Sequence, residues 1–249
     1  MQHEITQTGP LLDAQGRPAQ KGWARNLLLR YDRKAIKASS WRIKEWDYYC
    51  ILEKDFGIAL TVADNSYLSL IAVNVFDFIN HTETTDMVII PFTMGKLNMP
   101  SSSSEGDIVI GHKKVNLSFR HNDGKRQLDV DFPSFHKGKG LKGSFTLTPQ
   151  NQDSMVIVTP FKDDPLAFYY NQKINCLAAE GAFVFGEKTH AFQSGKASAV
   201  LDWGRGVWTY KNRWYWGSAS GYIDGKPFGF NIGYGFGDTS AASENMLFY

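Results

Sequence analysis

The sequence predicts an all-β, antiparallel protein, built either as a barrel or as two packed β-barrel or sandwich halves. Short runs of β-branched and aromatic residues recur along the chain, and Gly, Asp, Asn or Pro interrupts them at the spacing typical of barrels and sandwiches. In residues 115–120 and 127–132, apolar and polar side chains alternate around an Asn-Asp-Gly turn, which predicts a hairpin with one solvent-facing side. Helical patterns are confined to two ambiguous segments, 23–31 and 165–179.

The chain length allows one large β domain or two smaller ones, because 249 residues bury a sizeable core in either arrangement. We predict an N-terminal β domain over residues 1–165 and the start of a second barrel or sheet over residues 166–249. A single domain is the alternative.

Composition and net charge argue against several classes of binding partner. A net charge of +2 and a pI near 8.4 lack the basic surplus expected of a nucleic-acid-binding protein. Cys50 and Cys176 have no metal-binding spacing, so we expect reduced thiols, no metal and no cofactor. The N-terminus lacks a secretory signal pattern and the longest apolar run is too short to span a membrane, which favours a cytoplasmic location.

Residues 201–238 concentrate four of the seven tryptophans and nine of the 23 glycines. Asp224-Gly225 predicts a two-residue hairpin turn, and its register places Trp216 opposite Gly233 and Trp214 opposite Gly235. Each indole can then cover a strand position that has no Cβ. The resulting flat, aromatic and sparsely polar face indicates either a packed structural surface or the wall of a small-molecule pocket.

The pocket hypothesis assigns ligand-binding roles to aromatic and polar residues near this hairpin. Ser218 and Tyr222 share the predicted face, and the polar C-terminal segment adds further groups, although turn capping explains Asp238 equally well. The predicted ligand-binding residues are Trp203, Trp208, Trp214, Trp216, Ser218, Tyr222, Asn231, Asp238, Glu244 and Asn245.

Asp202 and Arg205 are the predicted catalytic or head-group residues. They lie three residues apart among glycines, so they can pair around a tight turn as a structural ion pair. If Asp202 were desolvated beside the tryptophans, its pKa would rise and it could act as an acid near neutral pH. Residues 45–48 and Asp64 are further candidates for the lining of the same cavity. Motifs of serine hydrolases, zinc proteases and phosphate-binding loops do not occur.

Five motifs occur in order along the chain: GWARNLLLRYD, KEWDYYCI, LTVADNSYLSL, AVLDWGRGVWTYKNRWYWGSASG and GFGDTSAASENMLFY. Together they resemble the family called domain of unknown function 2804, from about Gly9 to the end, and this resemblance implies no established activity. The Asp-Trp-Gly block and the ENMLF segment also resemble lipocalin-like proteins that include carotenoid hydratases and tocopherol cyclases. Those proteins bind hydrophobic polyenes or isoprenoids in β-barrels, and the second resemblance implies only the fold, a lipocalin-like barrel.

The C-terminal run Met246–Tyr249 is apolar on both strand faces, which predicts a strand inside a sheet. Members of the family continue beyond ENMLF with further strands. We therefore expect either a missing C-terminal segment or a second copy of the chain, in a homodimer, to cover the edge at Tyr249.

Three functions fit these observations. The first is binding of a hydrophobic small molecule against Trp214 and Trp216, with isomerisation, hydration or cyclisation of that molecule left open. The second is a carbohydrate-binding or glycan-processing β protein, since tryptophan faces with carboxylates also suit sugars. The third is a non-enzymatic scaffold whose edge strand pairs with a partner.

Overall fold

A computed structural model describes residues 2–150 and 153–249, and its architecture is all-β and antiparallel, as predicted. One two-residue pair, β1 with β3, is parallel. The strands in chain order are β1 (Gly9–Pro10), β2 (Gly22–Ala24), β3 (Leu29–Arg30), β4 (Ile43–Leu52), β5 (Phe56–Asp64), β6 (Leu68–Asp77), β7 (Thr82–Pro91), β8 (Ile108–His112), β9 (Val115–Asn122), β10 (Lys125–Phe132), β11 (Leu141–Thr148), β12 (Met155–Phe161), β13 (Asp164–Phe185), β14 (Lys188–Phe192), β15 (Ser198–Val207), β16 (Tyr215–Ile223), β17 (Lys226–Tyr234) and β18 (Met246–Phe248). Helix is limited, in the described residues, to the 3-10 turns Arg33–Ala35 and Ser40–Arg42 and the short α1 (Phe135–Gly138).

Most of these strands join one large sheet that curls into a half-barrel. Its main path, within the described residues, is β7-β6-β5-β4-β15-β13-β11-β10-β9-β8. Strands β12 and β14 pair with β13 beside this path, and β2 pairs with β12. Strands β16, β17 and β18 form a separate three-stranded sheet. No helix in the described residues has the length and apolar character needed to cross a bilayer.

The predicted domain boundary at residue 165 falls at the start of β13. This strand pairs with β11 and β12, which precede the boundary, and with β15, which follows it. Strand β15 pairs in turn with β4. Segments 1–165 and 166–249 therefore share the large sheet.

The two ambiguous segments are strands and loops, not helices. Residues 165–179 lie within the 22-residue strand β13, and residues 23–31 contain β2 and β3. Strand β13 is buried on both faces over most of its first half, so its sequence shows no alternation of polar and apolar residues. Its pairing with β15 shifts between Ile174 and Leu177, where Cys176 adopts a positive φ of 59°.

The large sheet has an inner face, which holds the main core, and an outer face, which the three-stranded sheet partly covers. On the inner face the rings of Tyr49 and Phe119, from distant strands β4 and β9, meet at 4.8 Å between centroids. On the outer face Tyr48 meets Trp216 of β16 at 6.2 Å. Because side chains alternate along a strand, consecutive residues of β4 supply opposite faces of the sheet.

The three-stranded sheet has the predicted hairpin register: Trp216 pairs with Gly233 and Ser218 with Asn231. Strand β18 pairs with β17 and forms the edge of this sheet in the described structure. Phe248 is buried, whereas Leu247 and Tyr249 are exposed. The prediction of a strand inside a sheet is therefore not met in the described residues, because β18 pairs with β17 on one side and with no strand on the other.

Candidate functional site

An aromatic cavity of about 400 Å³ lies between the outer face of the large sheet and the chain from Trp208 to Glu244. Strands β4, β5, β13 and β15 supply its floor. We call it the aromatic cavity, and its lining residues are Trp46, Tyr48, Thr61, Ala63, Asn65, Tyr169, Lys173, Asp202, Trp208, Trp214, Trp216, Phe236 and Glu244.

Strand register brings the floor residues together. Asp202 of β15 pairs with Tyr48 on one side and with Lys173 on the other, so the three side chains share the outer face. Trp46 pairs with Gly204, and a Cβ placed on Gly204 would lie 1.9 Å from the Trp46 ring. The indole of Trp46 therefore lies across β15 in space that any larger residue at position 204 would fill.

Aromatic contacts build the walls. Trp46 stacks on Tyr169 with centroids 5.9 Å apart and meets Trp208 edge-on at 5.2 Å. Phe236 lies edge-on to Tyr169 at 4.5 Å, to Trp208 at 4.9 Å and to Trp214 at 5.0 Å. Stacked and edge-on pairs are the favourable arrangements for aromatic rings, so these contacts fix the shape of the wall.

Trp216 closes the cavity on the hairpin side and is 36% exposed. Its indole Nε1 donates to Asn231 Oδ1 at 2.6 Å, and Asn231 Nδ2 donates to the backbone oxygen of Glu244 at 2.6 Å. Asn231 lies behind the wall and orients both residues. The ammonium of Lys173 lies 4.9 Å from the centroid of the Trp216 ring, within cation–π range.

A buried ion cluster forms the polar end of the aromatic cavity. Lys173 is 1% exposed, and its Nζ lies 3.1 Å from Asp202 Oδ2 and 3.8 Å from Glu244 Oε2. The same Nζ donates to Asn171 Oδ1 at 2.9 Å. One ammonium thus faces two carboxyl groups, an arrangement that tolerates an additional proton or a positively charged group.

Asp202 is surrounded by hydrogen-bond donors. Its Oδ1 accepts from Asn171 Nδ2 at 2.7 Å and from Trp46 Nε1 at 3.2 Å, and its Oδ2 faces Lys173. This donor set suits an ionised carboxylate, which only accepts hydrogen bonds. Asp202 therefore acts in the cluster as a hydrogen-bond acceptor and as the counter-charge of Lys173.

Glu244 and Tyr169 experience a different environment. Burial raises the pKa of Glu244 above its ordinary value, the charge of Lys173 opposes this, and the charge of Asp202 adds to it. Burial, followed by the charges of Glu244 and Asp202, raises the pKa of Tyr169 well above 10. Glu244 thus holds a proton more readily than an exposed glutamate does, and Tyr169 stays a neutral phenol.

Five of the predicted site residues line the aromatic cavity, namely Asp202, Trp208, Trp214, Trp216 and Glu244. The predicted ion pair between Asp202 and Arg205 is wrong. These residues lie in the extended strand β15, where positions three apart point to opposite faces.

Arg205 and Trp203 belong to the inner core instead of the aromatic cavity. Arg205 Nη2 pairs with Asp47 Oδ1 at 3.0 Å and donates to the backbone oxygen of Pro100 at 2.7 Å. The Trp203 ring contacts Tyr170 at 5.5 Å. Both residues are completely buried, so neither can contact a ligand in the aromatic cavity.

The remaining predicted residues support the three-stranded sheet and its loops. Ser218 Oγ accepts from Asn175 Nδ2 at 2.8 Å, Asn245 Oδ1 accepts from Gly233 N at 3.0 Å, and Asp238 Oδ1 accepts from Ser240 N at 3.1 Å. Tyr222 pairs with Pro227 near the hairpin end.

The space beside Gly233 is filled differently from the prediction. A Cβ there would meet Glu244 Oε2 at 2.5 Å, so Glu244, not an indole, occupies the place. Gly235, the other predicted partner, has a positive φ of 92° beside Arg213 O and the backbone of Trp214. The missing Cβ at position 233 therefore admits a carboxyl group of the ion cluster.

The candidates from the earlier strands divide between the two faces. Trp46 and Tyr48 line the aromatic cavity, whereas Glu45 and Asp47 point to the inner side. Asp64 accepts hydrogen bonds from the backbone of Ser66 at 2.8 Å and from that of Gly95 at 3.0 Å, which is a loop-stabilising role.

Sequence reasoning missed the contribution of β13, which supplies Tyr169, Asn171 and Lys173. The available signal was a polar Asn-Gln-Lys triplet inside an otherwise apolar segment. Its meaning depends on the pairing with β15, which sequence alone did not give. In the described residues no three His, Cys, Asp or Glu side chains group as a metal site, and Cys50 and Cys176 are free and buried.

Two solved structures were found to be similar to this chain. The chain is similar to the crystal structure of a candidate AttH protein from Nitrosomonas europaea, with a TM-score of 0.53 and 14% identity over 96% of this chain and 74% of that one. Kievitone hydratase from Nectria haematococca aligns with a TM-score of 0.47 and 8% identity over 99% of this chain and 68% of that one.

Similarity at 14% identity supports the fold alone. Among curated protein sequences, none matches the chain. A family model matches residues 2–249, and on that match the chain belongs to the family described as Domain of unknown function (DUF2804).

Proposed function

We propose that the aromatic cavity binds a small, mainly apolar molecule, and that the ion cluster at its end performs acid–base chemistry on that molecule. The observation that carries this proposal is the meeting of a continuous aromatic wall with a buried Lys173–Asp202–Glu244 cluster in one cavity. A volume of about 400 Å³ falls within the range of small-molecule sites, in which a few polar groups orient an otherwise apolar ligand.

The roles follow from the surroundings of each carboxyl group. Glu244, whose pKa burial raises, donates a proton to a carbon–carbon double bond or a carbonyl of the ligand. Asp202, held as a carboxylate by Asn171 and Trp46, accepts the proton that is lost when water adds or when a neighbouring C–H bond breaks. The proton balance closes, so hydration and isomerisation both fit, and internal attack by a second double bond would give cyclisation.

The aromatic wall supports such chemistry directly. Protonation of an alkene leaves positive charge on carbon, and the faces of aromatic rings stabilise cations by cation–π attraction. Trp216 already lies over one cation, the ammonium of Lys173. Arg205 has no part in this proposal because it lies on the inner face of the sheet.

A glycan-processing site is the second candidate, favoured by two carboxyl groups beside half-exposed Trp214 and Trp216. Hydrolysis of a glycosidic bond needs carboxyl groups on either side of the bond. Here both carboxyl groups contact the ammonium of Lys173, at 3.1 and 3.8 Å, and lie at one end of the cavity. The apolar ligand is favoured by the rest of the lining, in which aromatic side chains predominate. Free, buried cysteines are consistent with a cytoplasmic location, which we include in the proposal.

The first experiment is mass spectrometry of molecules that remain bound after purification under native conditions. Binding of the identified molecule is then compared in Trp216→Ala and in Trp41→Ala, because Trp41 is an exposed tryptophan outside the cavity lining. We expect Trp216→Ala to weaken binding by about 2 kcal/mol, as for the loss of an aromatic anchor, and Trp41→Ala to leave it unchanged. Equal affinity of wild type and Trp216→Ala contradicts binding in the aromatic cavity.

The catalytic part is tested separately with Glu244→Gln and Glu187→Gln, where Glu187 is an exposed control. Conversion of the identified molecule should fall by about 10²- to 10⁴-fold in Glu244→Gln while binding is retained. If Glu244→Gln converts the molecule at the wild-type rate, the cavity is a binding site without the proposed acid.

A further inference from the structure

A second cavity, of about 710 Å³, opens on the inner side of the sheet. It lies between the segment 26–31, the serine loop 101–104 and strands β10 and β13, and we call it the serine-loop cavity. Its polar lining includes Arg126, Gln172, Ser103 and Ser154, and its apolar lining includes Leu27, Leu29 and Ile174. The aromatic cavity and the serine-loop cavity therefore lie on opposite faces of β13, which contributes Lys173 to one and Gln172 to the other.

Arg126 is the notable group in the serine-loop cavity. It is 5% exposed, and its Nη2 donates to the backbone oxygen of Ser103 at 3.2 Å. Within residues 2–150 and 153–249 it forms no salt bridge, and its buried Nε has no hydrogen-bond acceptor. The guanidinium also interacts with the neutral hydroxyl of Tyr49, which supplies no negative charge. The nearby carboxylate of Asp47 is bound to Arg205. Arg126 therefore shares the charge of Asp47 with Arg205 and has no carboxylate in direct contact. A buried guanidinium without a directly bound anion is costly, and an anionic ligand would supply that contact.

The surroundings of Arg126 are ordered by hydrogen bonds. Ser103 Oγ donates to Gln172 Oε1, and Gln172 Nε2 donates to Ser154 Oγ at 2.7 Å. These two hydrogen bonds hold the side chains of Ser103, Gln172 and Ser154 in position beside the guanidinium and connect the serine loop to β13. A head group that reaches Arg126 therefore enters a site whose polar members are already in position.

The opposite part of the lining is apolar, which gives the cavity two chemical ends. Leu29 is buried and Leu27 and Ile174 are half-buried, so they can cover a short hydrocarbon chain. Two carboxylates also border the cavity. Asp153 is paired with Arg25 at 2.7 Å, and Glu105 is exposed at the mouth.

From this arrangement we infer that the serine-loop cavity binds a small carboxylate with a short apolar tail, its head group on Arg126 and its tail against Leu29 and Ile174. A carboxylate matches the planar guanidinium with two parallel hydrogen bonds, which distinguishes it from a neutral head group of similar size. This site is independent of the function proposed for the aromatic cavity.

The test uses octanoate, octanol and inorganic phosphate as probes in isothermal titration calorimetry with the full chain. Octanoate should bind, whereas octanol lacks the charge and phosphate lacks the tail, so both should bind at least about tenfold more weakly. Octanoate affinity should fall by about tenfold to hundredfold in Arg126→Met. The control Arg120→Gln removes an exposed arginine of the neighbouring strand and should bind octanoate like wild type.

Two further variants keep the result unambiguous. Trp216→Ala should retain octanoate binding, and a large loss there would place octanoate in the aromatic cavity and overturn the inference. If Arg126→Met does not fold, Arg126→Lys carries the test, because it keeps the charge but loses the paired donors of the guanidinium. Octanoate affinity equal to wild type in either Arg126 variant, or equal affinity for octanol or for phosphate, also overturns it.

Discussion

Two buried ion pairs lie on opposite faces of β15 and differ in what surrounds them. On the inner face Arg205 pairs with Asp47, and the guanidinium also donates to backbone oxygens of Pro100, Trp46 and Gly204. On the outer face Lys173 contacts Asp202 and Glu244 beside a cavity of about 400 Å³. Burial and charge are common to both pairs, so neither property distinguishes a candidate site.

The two pairs differ in how completely the cation is hydrogen-bonded and in whether the charged groups border a cavity. The Arg205 guanidinium is fully buried, has acceptors for its hydrogen-bond donors and lies 4.4 Å from the Trp203 ring. The outer cluster has one ammonium for two carboxyl groups and borders open space. A sealed guanidinium with acceptors on all sides indicates a structural role, whereas a charge imbalance beside a cavity indicates chemistry.

The largest effect that separates the two pairs is expected for Arg205→Met. Removal of the guanidinium leaves Asp47 buried without its partner, and breaking a buried pair in this way costs about 3–5 kcal/mol of the free energy of unfolding. Lys173→Met should cost less, because Asp202 keeps two other donors and the cavity admits water. Chemical denaturation of both variants measures the difference, and a larger loss for Lys173→Met would reverse the assignment.

A smaller effect is expected from filling the space under Trp46. The Cβ of Gly204→Ala would overlap the Trp46 ring, so the indole must move at a cost of about 1–3 kcal/mol in stability. In Gly221→Ala, the matched control in β16, the new Cβ meets no atom within 4 Å. Thermal unfolding and tryptophan fluorescence of the two variants check this prediction. Equal stability would mean that Trp46 is not confined by position 204.

The smallest expected effect concerns the pH dependence of stability. Because burial raises the pKa of Glu244, the folded state binds its proton more tightly than the unfolded state does. The contribution of Glu244 to stability is therefore complete below its ordinary pKa of 4.5 and is lost as the pH rises toward its folded value.

Glu244→Gln removes this titration. The free energy of unfolding of the variant, relative to wild type, should therefore increase from pH 4.5 upward, while the exposed control Glu187→Gln shows a constant difference. Urea denaturation at several pH values gives the comparison. A difference that decreases with pH would mean that Lys173 outweighs burial and holds Glu244 ionised.

Local turn chemistry made part of the fold predictable. The Asp123-Gly124 turn sets the pairing of Lys125 with Asn122, and the Asp224-Gly225 turn sets that of Trp216 with Gly233. In a two-residue hairpin the turn fixes the register, so a short sequence determines which side chains are opposite each other.

Long-range pairing was not predictable in the same way. Lys173 pairs with Asp202 through β13 and β15, which no tight turn connects. Strand β13 also lacks alternation because both faces are buried over much of its length. The predicted pair of Asp202 and Arg205 requires a turn at the glycines beside Arg205. These glycines lie instead in an extended strand, Gly204 under the Trp46 ring and Gly206 against Phe168 O.

The length of β13 has a consequence for insertions and deletions. Gln172 and Lys173 are neighbours in sequence but serve opposite faces, so losing or gaining one residue between Asp164 and Gln172 would exchange them. The ammonium would then enter the inner core and the amide would face the tryptophans. Beyond Ile174, the irregular pairing around Cys176 already accommodates extra backbone. We therefore expect insertions and deletions in homologous chains to occur in β13 after Ile174. Between Asp164 and Ile174 we expect the number of residues to stay constant.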